Sequence, residues 1–279
     1  MTAATERAAM RASSASLPND LSNAEGLPLL TVADGVATIR LRRPSQRNSL
    51  HDADLHALLA MFAQLDADAA VRVVVLGADT VGQRKPVFCA GYNVAGFDGA
   101  AHAPDLFEKI PDALERLRPI TICALNGSVY GGATDLVLAC DLRVGLAGTE
   151  FRMPASALGL HYYPSGLRRY VSRLGLNAAK RAFLTAQPLD IEQLDALGLF
   201  ERVVPAGEFD EAMTALVARV QQMAPLAVQA VKQSLNEIAA GHYDEPALRA
   251  REVVTTQSRD FAEGRAAYAE RRPPRFIGR

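Results

Sequence analysis

The clearest hydrophobic pattern in this chain is an uncharged run from Ile120 to Leu125 that ends at once in turn residues. A run this short, closed so soon, favours a buried strand over a helix. Gly131 and Gly132 follow, and residues 133–140 are typical of a helix. The pattern therefore predicts a strand, a glycine turn and a helix start, with Asp135 in the first helical turn.

The residues before this stretch also show patterns of strands and a helix. Residues 36–41 predict a strand that is broken by Pro44, and residues 71–76 predict a second, β-branched strand. Between them, apolar residues recur at helical spacing: Leu55, Leu58, Leu59, Phe62 and Leu65. A second unit combines a strand at 87–89 with a helix at 106–117. Strands joined through helices imply an α/β fold with a parallel core.

The second half of the chain changes character. Residues 142–145 and 150–153 predict short strands, and a loop at 156–166 leads to helices from about Leu167 onward. Residues 202–204 predict one more short strand.

The last region, 205–279, is predicted to be helical. Pro225 marks a helix start, and Pro246 is expected to open a long last helix. An apolar stripe in this region could cover either its own core or a neighbouring subunit, and the pattern does not separate the two.

Composition limits the classes of partner. The 279 residues are 49% hydrophobic and 22% charged, with a net charge of -1 and a pI near 6.5. This balance gives no broad electrostatic reason to expect nucleic acid or a membrane as partner. No apolar run is long enough to predict a membrane span. Cys89, Cys123 and Cys140 lie singly in apolar surroundings, which favours buried thiols and a reducing cytoplasm.

The N-terminal residues 1–28 are rich in Ala, Ser and Thr and contain Glu6 and Asp20. We expect a mostly disordered extension, because no continuous apolar core of a secretory signal is present. An organelle transit peptide is the alternative, since Arg7 and Arg11 punctuate a stretch of small residues.

The predicted glycine turn is a candidate site for binding a negative charge. A helix start leaves backbone N–H groups without intrahelical partners, and glycine lets a ligand atom approach them closely. Such a place can hold a developing negative charge, with Asp135 beside it. No metal site is expected, because the five histidines form neither an HExxH nor an HxxEH arrangement.

Three separated segments match one family pattern: LRRPSQRNSL at 41–50, KPVFCAGYNV at 85–94 and NGSVYGGATDLVLACDLRV at 126–144. In this order and spacing they resemble the crotonase superfamily, the relatives of enoyl-CoA hydratases and isomerases. The resemblance covers residues 29–279. It implies a repeated ββα spiral core at 29–204 and a helical C-terminal region at 205–279 that mediates trimers, usually paired into hexamers.

The resemblance also implies roles for particular residues. The backbone N–H groups of Tyr92 and Gly132 match the positions that bind the thioester oxygen and form an oxyanion hole. Ala90 matches the position whose backbone contacts the CoA adenine, while Arg47 and Arg271 are candidate partners for CoA phosphates. The expected substrate is an acyl-CoA, and no cofactor beyond its CoA moiety is implied.

Two departures from the family pattern bear on the reaction. Hydratases of this family carry two glutamates, and the matching positions here are Asp135 and Ala155. Because Ala155 has no carboxylate to hold water, efficient hydration of the usual type is not expected. Asp135 is the best acid/base candidate, with helix capping as its structural alternative. Tyr162 matches a tyrosine in the loop of malonyl-type acyl-CoA decarboxylases, although packing alone would also explain it.

The sequence thus predicts an enoyl-CoA hydratase/isomerase-like enzyme that forms a stabilised enolate. Two alternatives remain open: a malonyl-type acyl-CoA decarboxylase, and a noncatalytic CoA-binding or assembly subunit.

Overall fold

The computed structural model describes residues 25–93 and 105–279. Short apolar runs between turn residues form the strands. Within the described residues these are β1 (Gly26–Ala33), β2 (Val36–Arg42), β3 (Val73–Ala78), β4 (Val87–Cys89), β5 (Ile120–Leu125), β6 (Ser128–Tyr130), β7 (Leu142–Leu146), β8 (Glu150–Arg152), β9 (Leu189–Asp190) and β10 (Arg202–Val204).

The longer segments with helical apolar spacing form the helices. The helices are α1 (Asp52–Ala67), α2 (Leu106–Arg116), α3 (Ala133–Ala139), α4 (Pro164–Thr185), α5 (Ile191–Asp195), α6 (Phe209–Gln221), α7 (Pro225–Ala239), α8 (Glu245–Thr256) and α9 (Arg259–Glu270).

The strands form two sheets. The six-stranded sheet has the order β1-β2-β3-β5-β7-β10, and all neighbours pair in parallel except β1, which pairs antiparallel to β2. The predicted parallel α/β core is thereby confirmed. The four-stranded sheet has the order β4-β6-β8-β9. In it, β6 runs parallel to both β4 and β8.

The six-stranded sheet is covered on both faces. Along β3, Val74 and Leu76 join the larger apolar core, while Val73 and Val75 join a smaller one that also contains side chains of α6. Successive strand residues point to opposite faces, so a strand covered on both sides needs a nearly continuous apolar run. This requirement explains the uncharged runs that mark β3 and β5 in the sequence. The three cysteines are buried, unpaired thiols, as predicted.

Several boundaries differ from the predictions. Ordered pairing begins at Gly26 rather than Leu29, because β1 bonds to β2 along its length. The predicted long last helix is two helices, since the Ser258 side chain accepts a hydrogen bond from the Phe261 N–H and starts α9. Residues 1–24 of the predicted N-terminal extension, and Val94 of the second family motif, lie outside the described residues.

Polar contacts attach α7, the second helix of the region 205–279, to the core. Lys232 Nζ lies 2.7 Å from Asp141 Oδ2 and donates to the Pro119 carbonyl oxygen. Asn236 bonds to the side chain of Arg173 and to the carbonyl oxygen of Glu115.

Apolar side chains on α7 and α8 remain exposed: Val231, Leu235, Ile238, Val253 and Val254. None of the helices in the described ranges combines the length and apolarity that crossing a bilayer requires.

Candidate active site

A cavity of about 560 Å³ opens beside the glycine turn between β6 and α3. Four of the seven residues predicted to act in catalysis or CoA binding line it: Ala90, Tyr92, Gly132 and Tyr162. Tyr92 and Gly132 are 40 positions apart in the chain. The fold therefore brings the two expected backbone donors to one cavity wall.

Close backbone approach joins the two loops that carry these donors. Gly91 has a φ of +96°, and a β-carbon there would lie 2.8 Å from the Tyr130 carbonyl oxygen and 3.4 Å from the Gly132 nitrogen. Real β-carbons do not come as near to a backbone oxygen as 2.8 Å, and a positive φ strains any residue with a side chain. Both the contact with Tyr130 and the backbone conformation therefore require glycine at position 91. The absence of a side chain at Gly91 is what lets Tyr92 and Gly132 share one wall.

Backbone hydrogen bonds hold the loop around Tyr92. The Leu50 N–H donates to the Gly91 carbonyl oxygen at 2.9 Å, and the Asn93 N–H donates to the Leu50 carbonyl oxygen at 2.9 Å. Before them, the Ala90 N–H donates to the Arg47 carbonyl oxygen at 2.8 Å. These bonds fix the backbone on both sides of Tyr92 whatever its side chain does.

Asp135 does not line the cavity. Its side chain is fully buried and forms a bidentate ion pair with Arg169, at 2.9 Å from Nε to Oδ1 and 2.8 Å from Nη2 to Oδ2. The Tyr163 hydroxyl also donates to Oδ2, at 2.6 Å. The sequence makes Asp135 the best acid/base candidate, in the first helical turn after the glycines. The observed pair instead places its carboxylate behind the wall, with both oxygens occupied.

The ion pair belongs to a larger cluster of charged side chains, in which Glu115 is also buried and the others are partly exposed. Arg169 Nη1 lies 2.8 Å from Asp112 Oδ1 and 3.1 Å from Glu115 Oε2, and Arg168 and Arg173 also pair with Glu115. Burial alone would lower the pKa of Arg169, but hydrogen bonding to Asp135 and the nearby carboxylates raise it. Three arginines and three carboxylates thus balance one another under the site.

Two tyrosines connect this cluster to the cavity. The Tyr162 hydroxyl donates to the Tyr163 hydroxyl at 2.9 Å, which in turn donates to Asp135. The two rings stack with centroids 4.1 Å apart, and a β-carbon at Gly166 would overlap them. Burial and the Asp135 charge raise the pKa of both phenols well above the usual value. Both therefore stay protonated at neutral pH and act as hydrogen-bond donors.

The Tyr92 side chain points to a different partner. Its hydroxyl donates to Asp52, and burial together with that hydrogen bond raises the pKa of Tyr92 to about 12. Its ring centroid lies 5.7 Å from that of Phe107. The phenol is thus turned toward the start of α1, and only the backbone of Tyr92 was expected to serve in chemistry.

Ala155 lies on the cavity wall, where the residue is 4% exposed. The position that the family resemblance matches to the second glutamate of hydratases therefore lines the cavity and carries no acid. Neither Arg47 nor Arg271 is a lining residue. Arg47 is exposed next to Ala90, whereas Arg271 is exposed at the end of α9.

Sequence reasoning missed two residues of the site, Glu108 and Arg169. Glu108 lines the cavity from the first turn of α2, whereas Tyr163, which lines it beside Tyr162, belongs to the loop that the sequence places at the site. Arg169, behind the wall, holds Asp135. Arg169 follows Arg168 directly, and such an arginine pair on a helix resembles a solvated surface, while the carboxylate that pairs with Arg169 is 34 positions away. The sequence signal that could have indicated Arg169 is its place next to Tyr170 on the helix face that also carries Leu174, both of which are buried in α4.

Comparison with known proteins agrees with this geometry. Residues 31–279 match the family described as enoyl-CoA hydratase/isomerase. The chain is 32% identical to "Probable enoyl-CoA hydratase echA6" of Mycobacterium leprae, covering 89% of this chain and 98% of that protein. It is 24% identical to the methylmalonyl-CoA decarboxylase of Escherichia coli, covering 87% and 95%. An enoyl-CoA hydratase structure from Bacillus anthracis superposes with a TM-score of 0.81 at 26% identity, covering 91% and 100%.

The match extends over nearly the whole described chain, in sequence and in fold, and it agrees with the motifs that form the cavity wall. The chain belongs to the enoyl-CoA hydratase/isomerase family of the crotonase superfamily.

Proposed function

We propose that this protein acts on an acyl-CoA thioester and stabilises an enolate of the acyl group with the backbone N–H groups of Tyr92 and Gly132. The close approach of Gly91 to Gly132 is the observation that carries this proposal. Within the described residues, no hydrogen bond uses the Gly132 N–H. Donors positioned in advance where charge develops contribute about 10²- to 10³-fold each in rate.

We further propose that the reaction is not efficient two-carboxylate hydration. Ala155 lines the cavity without an acid, and Asp135 is committed to Arg169 behind the wall. The cavity therefore lacks the two free carboxylates that would hold the attacking water molecule. The loss of one positioned acid or base lowers rates by about 10²- to 10⁴-fold.

Malonyl-type decarboxylation is the second candidate, favoured by the protonated phenols of Tyr162 and Tyr163 at the cavity. Loss of CO₂ needs no general base: the electron pair of the broken bond moves onto the thioester oxygen, and a donor then returns a proton to carbon. The methylmalonyl-CoA decarboxylase relative supports keeping this candidate.

The proposed assembly is a homotrimer or homohexamer in the cytoplasm, with no cofactor beyond the CoA moiety of the substrate. The exposed apolar side chains of α7 and α8 support self-association through the C-terminal region. Arg47 and Arg271 remain proposed partners of the CoA phosphates, from outside the acyl cavity.

Gly132→Ala tests the proposed oxyanion hole. A β-carbon at this position would lie 2.6 Å from Phe107 Cζ, so the methyl group and the displaced ring would occupy the space of the thioester. We expect turnover of the true substrate to fall by about 10²-fold or more. Turnover is measured by mass spectrometry over enoyl-, saturated and malonyl-type thioesters.

Gly207→Ala is the matched control, because a β-carbon at Gly207 meets no atom within 4 Å. Circular dichroism must show that both variants are folded. Wild-type turnover by a folded Gly132→Ala protein would contradict the oxyanion-hole assignment.

A further inference from the structure

Glu108 supplies the only carboxylate among the described residues that line the acyl cavity. It is half-buried in the first turn of α2. Within the described ranges its side chain has no ion-pair or hydrogen-bond partner, whereas the carboxylate of Asp135 is paired with Arg169. A carboxylate left unpaired in a mostly apolar cavity is available for chemistry.

The packing of α2 brings Glu108 to the expected donors. The ring of Phe107 lies against Gly132, where it would touch any added β-carbon, and its centroid is 5.7 Å from that of Tyr92. Glu108 is the next residue in the chain and faces the same cavity. The first turn of α2 is therefore fixed against both residues of the proposed oxyanion hole.

The other titratable groups of the site are poorly suited to remove a proton from carbon. Asp135 has both oxygens occupied, and the phenols of Tyr162 and Tyr163 hold their protons at neutral pH. His161 is exposed. Among the residues that the structure describes, Glu108 alone combines a carboxylate, a side chain without an ion-pair or hydrogen-bond partner in those ranges, and a place on the cavity wall.

We propose that Glu108 is the acid/base residue of this site and that it moves one proton between two carbons of an enoyl thioester. This inference rests on the proposed oxyanion hole, which must hold the enolate while the proton is on Glu108. A single carboxylate is sufficient, because the group that removes the proton can return it.

The step balances without a co-reactant. The Glu108 carboxylate takes a proton from the carbon next to the thioester carbonyl, and the electron pair passes onto the thioester oxygen as a dienolate. The carboxylic acid then returns a proton to the carbon two positions further along. The double bond moves into conjugation with the thioester, and no water, oxidant or reductant is consumed.

The cavity also indicates the class of acyl group. No lysine or arginine is among the described residues that line it, whereas Met153, Leu158 and Leu160 contribute apolar surface. A carboxylate on the acyl chain would lie in an apolar space that already holds Glu108, without a cation to pair with. An uncharged, unsaturated acyl chain fits this wall, so the proposal favours isomerisation over malonyl-type decarboxylation.

The test follows the conversion of unconjugated 3-enoyl-CoA thioesters, from butenoyl to decenoyl, into conjugated 2-enoyl products in D₂O. Glu108→Gln keeps the shape of the side chain and removes its basic form, and we expect it to lower turnover by about 10²-fold or more. Glu108→Asp should retain part of the activity. Asp105→Asn is the matched control, because Asp105 is exposed at the start of the same helix and pairs with Lys109.

Binding is measured separately by calorimetry with a saturated acyl-CoA, which distinguishes this proposal from the one on which it rests. Loss of turnover in Glu108→Gln, with binding retained and Asp105→Asn unchanged, supports the assignment. Wild-type turnover by Glu108→Gln overturns it and leaves the oxyanion hole intact. Binding of the thioester without isomerisation by the unmodified protein also overturns it, and failure to bind any thioester contradicts the proposed function itself.

Discussion

The ion pair between Asp135 and Arg169 predicts a large loss of stability when the aspartate is neutralised. In Asp135→Asn, the side-chain oxygen can still accept from Arg169 Nη2 and from Tyr163, as Oδ2 does now. The amide nitrogen, however, would face Arg169 Nε–H, which now donates to Oδ1 at 2.9 Å. One charge-assisted hydrogen bond is thereby replaced by two donors that face each other.

The size of the effect follows from burial. Both side chains are fully buried, and removing one partner of a buried pair costs about 3–5 kcal/mol because the other charge loses its compensation. Arg169 would keep Asp112 and Glu115 at 2.8 and 3.1 Å. We therefore expect the lower end of that range, about 3 kcal/mol off the free energy of unfolding.

Equilibrium urea unfolding at a fixed protein concentration measures this loss for Asp135→Asn. Asp105→Asn is the control, because its pair with Lys109 is exposed, at 60% and 55%, and should contribute little to stability. A free energy of unfolding for Asp135→Asn within about 1 kcal/mol of the unmodified protein would refute the reasoning, since exposed pairs reach that value.

Three further predictions concern the cavity wall and the phenols. Tyr162→Phe should lower turnover at least tenfold, about 1.4 kcal/mol in barrier, with little change in melting temperature; Tyr170→Phe, whose hydroxyl bonds to buried Thr134, is the control, and unchanged turnover in Tyr162→Phe would leave it a packing residue. Crotonyl-CoA hydration should be far slower than in a two-glutamate enzyme and should rise in Ala155→Glu, and a rate typical of efficient hydratases in the unmodified protein would contradict this. Stability should fall as pH rises above about 10, because phenols whose pKa is raised by folding favour the folded state below the unfolded pKa and lose that contribution above it. The phenols whose pKa is raised are Tyr92, Tyr130, Tyr162, Tyr163 and Tyr170. Tyrosine absorbance should show that they ionise at higher pH in the folded chain than in the unfolded chain, and identical titration of the two would contradict this prediction.

Local patterns were sufficient for most of the sheet and for the placement of the glycine turn. Strand β5 runs from Ile120 to Leu125, and α3 begins at Ala133, as the apolar run and the glycines predict. These features are set by neighbouring residues, since burial on two faces demands uncharged runs and close backbone approach demands glycine.

Long-range contacts explain what the patterns did not show. The fate of Asp135 depends on Arg169, and the position of Glu108 depends on how α2 packs against the glycine turn. Nothing near Asp135 in the sequence distinguishes a free carboxylate from a paired one. Of the three-residue strands, β4, β8 and β10 were predicted, but β6 was missed because turn residues stand on both sides of so short a run.

The backbone bonds around Tyr92 have a consequence for how such a site can evolve. Its N–H is positioned by Gly91, by the bonds of Leu50 and by the neighbouring Asn93, while the side chain is turned away toward Asp52. A substitution at position 92 therefore changes the cavity surface without removing the donor. Mutations can then exchange the acids and phenols of the wall one at a time, so that a descendant protein acquires a new reaction while it inherits the same means of holding an enolate.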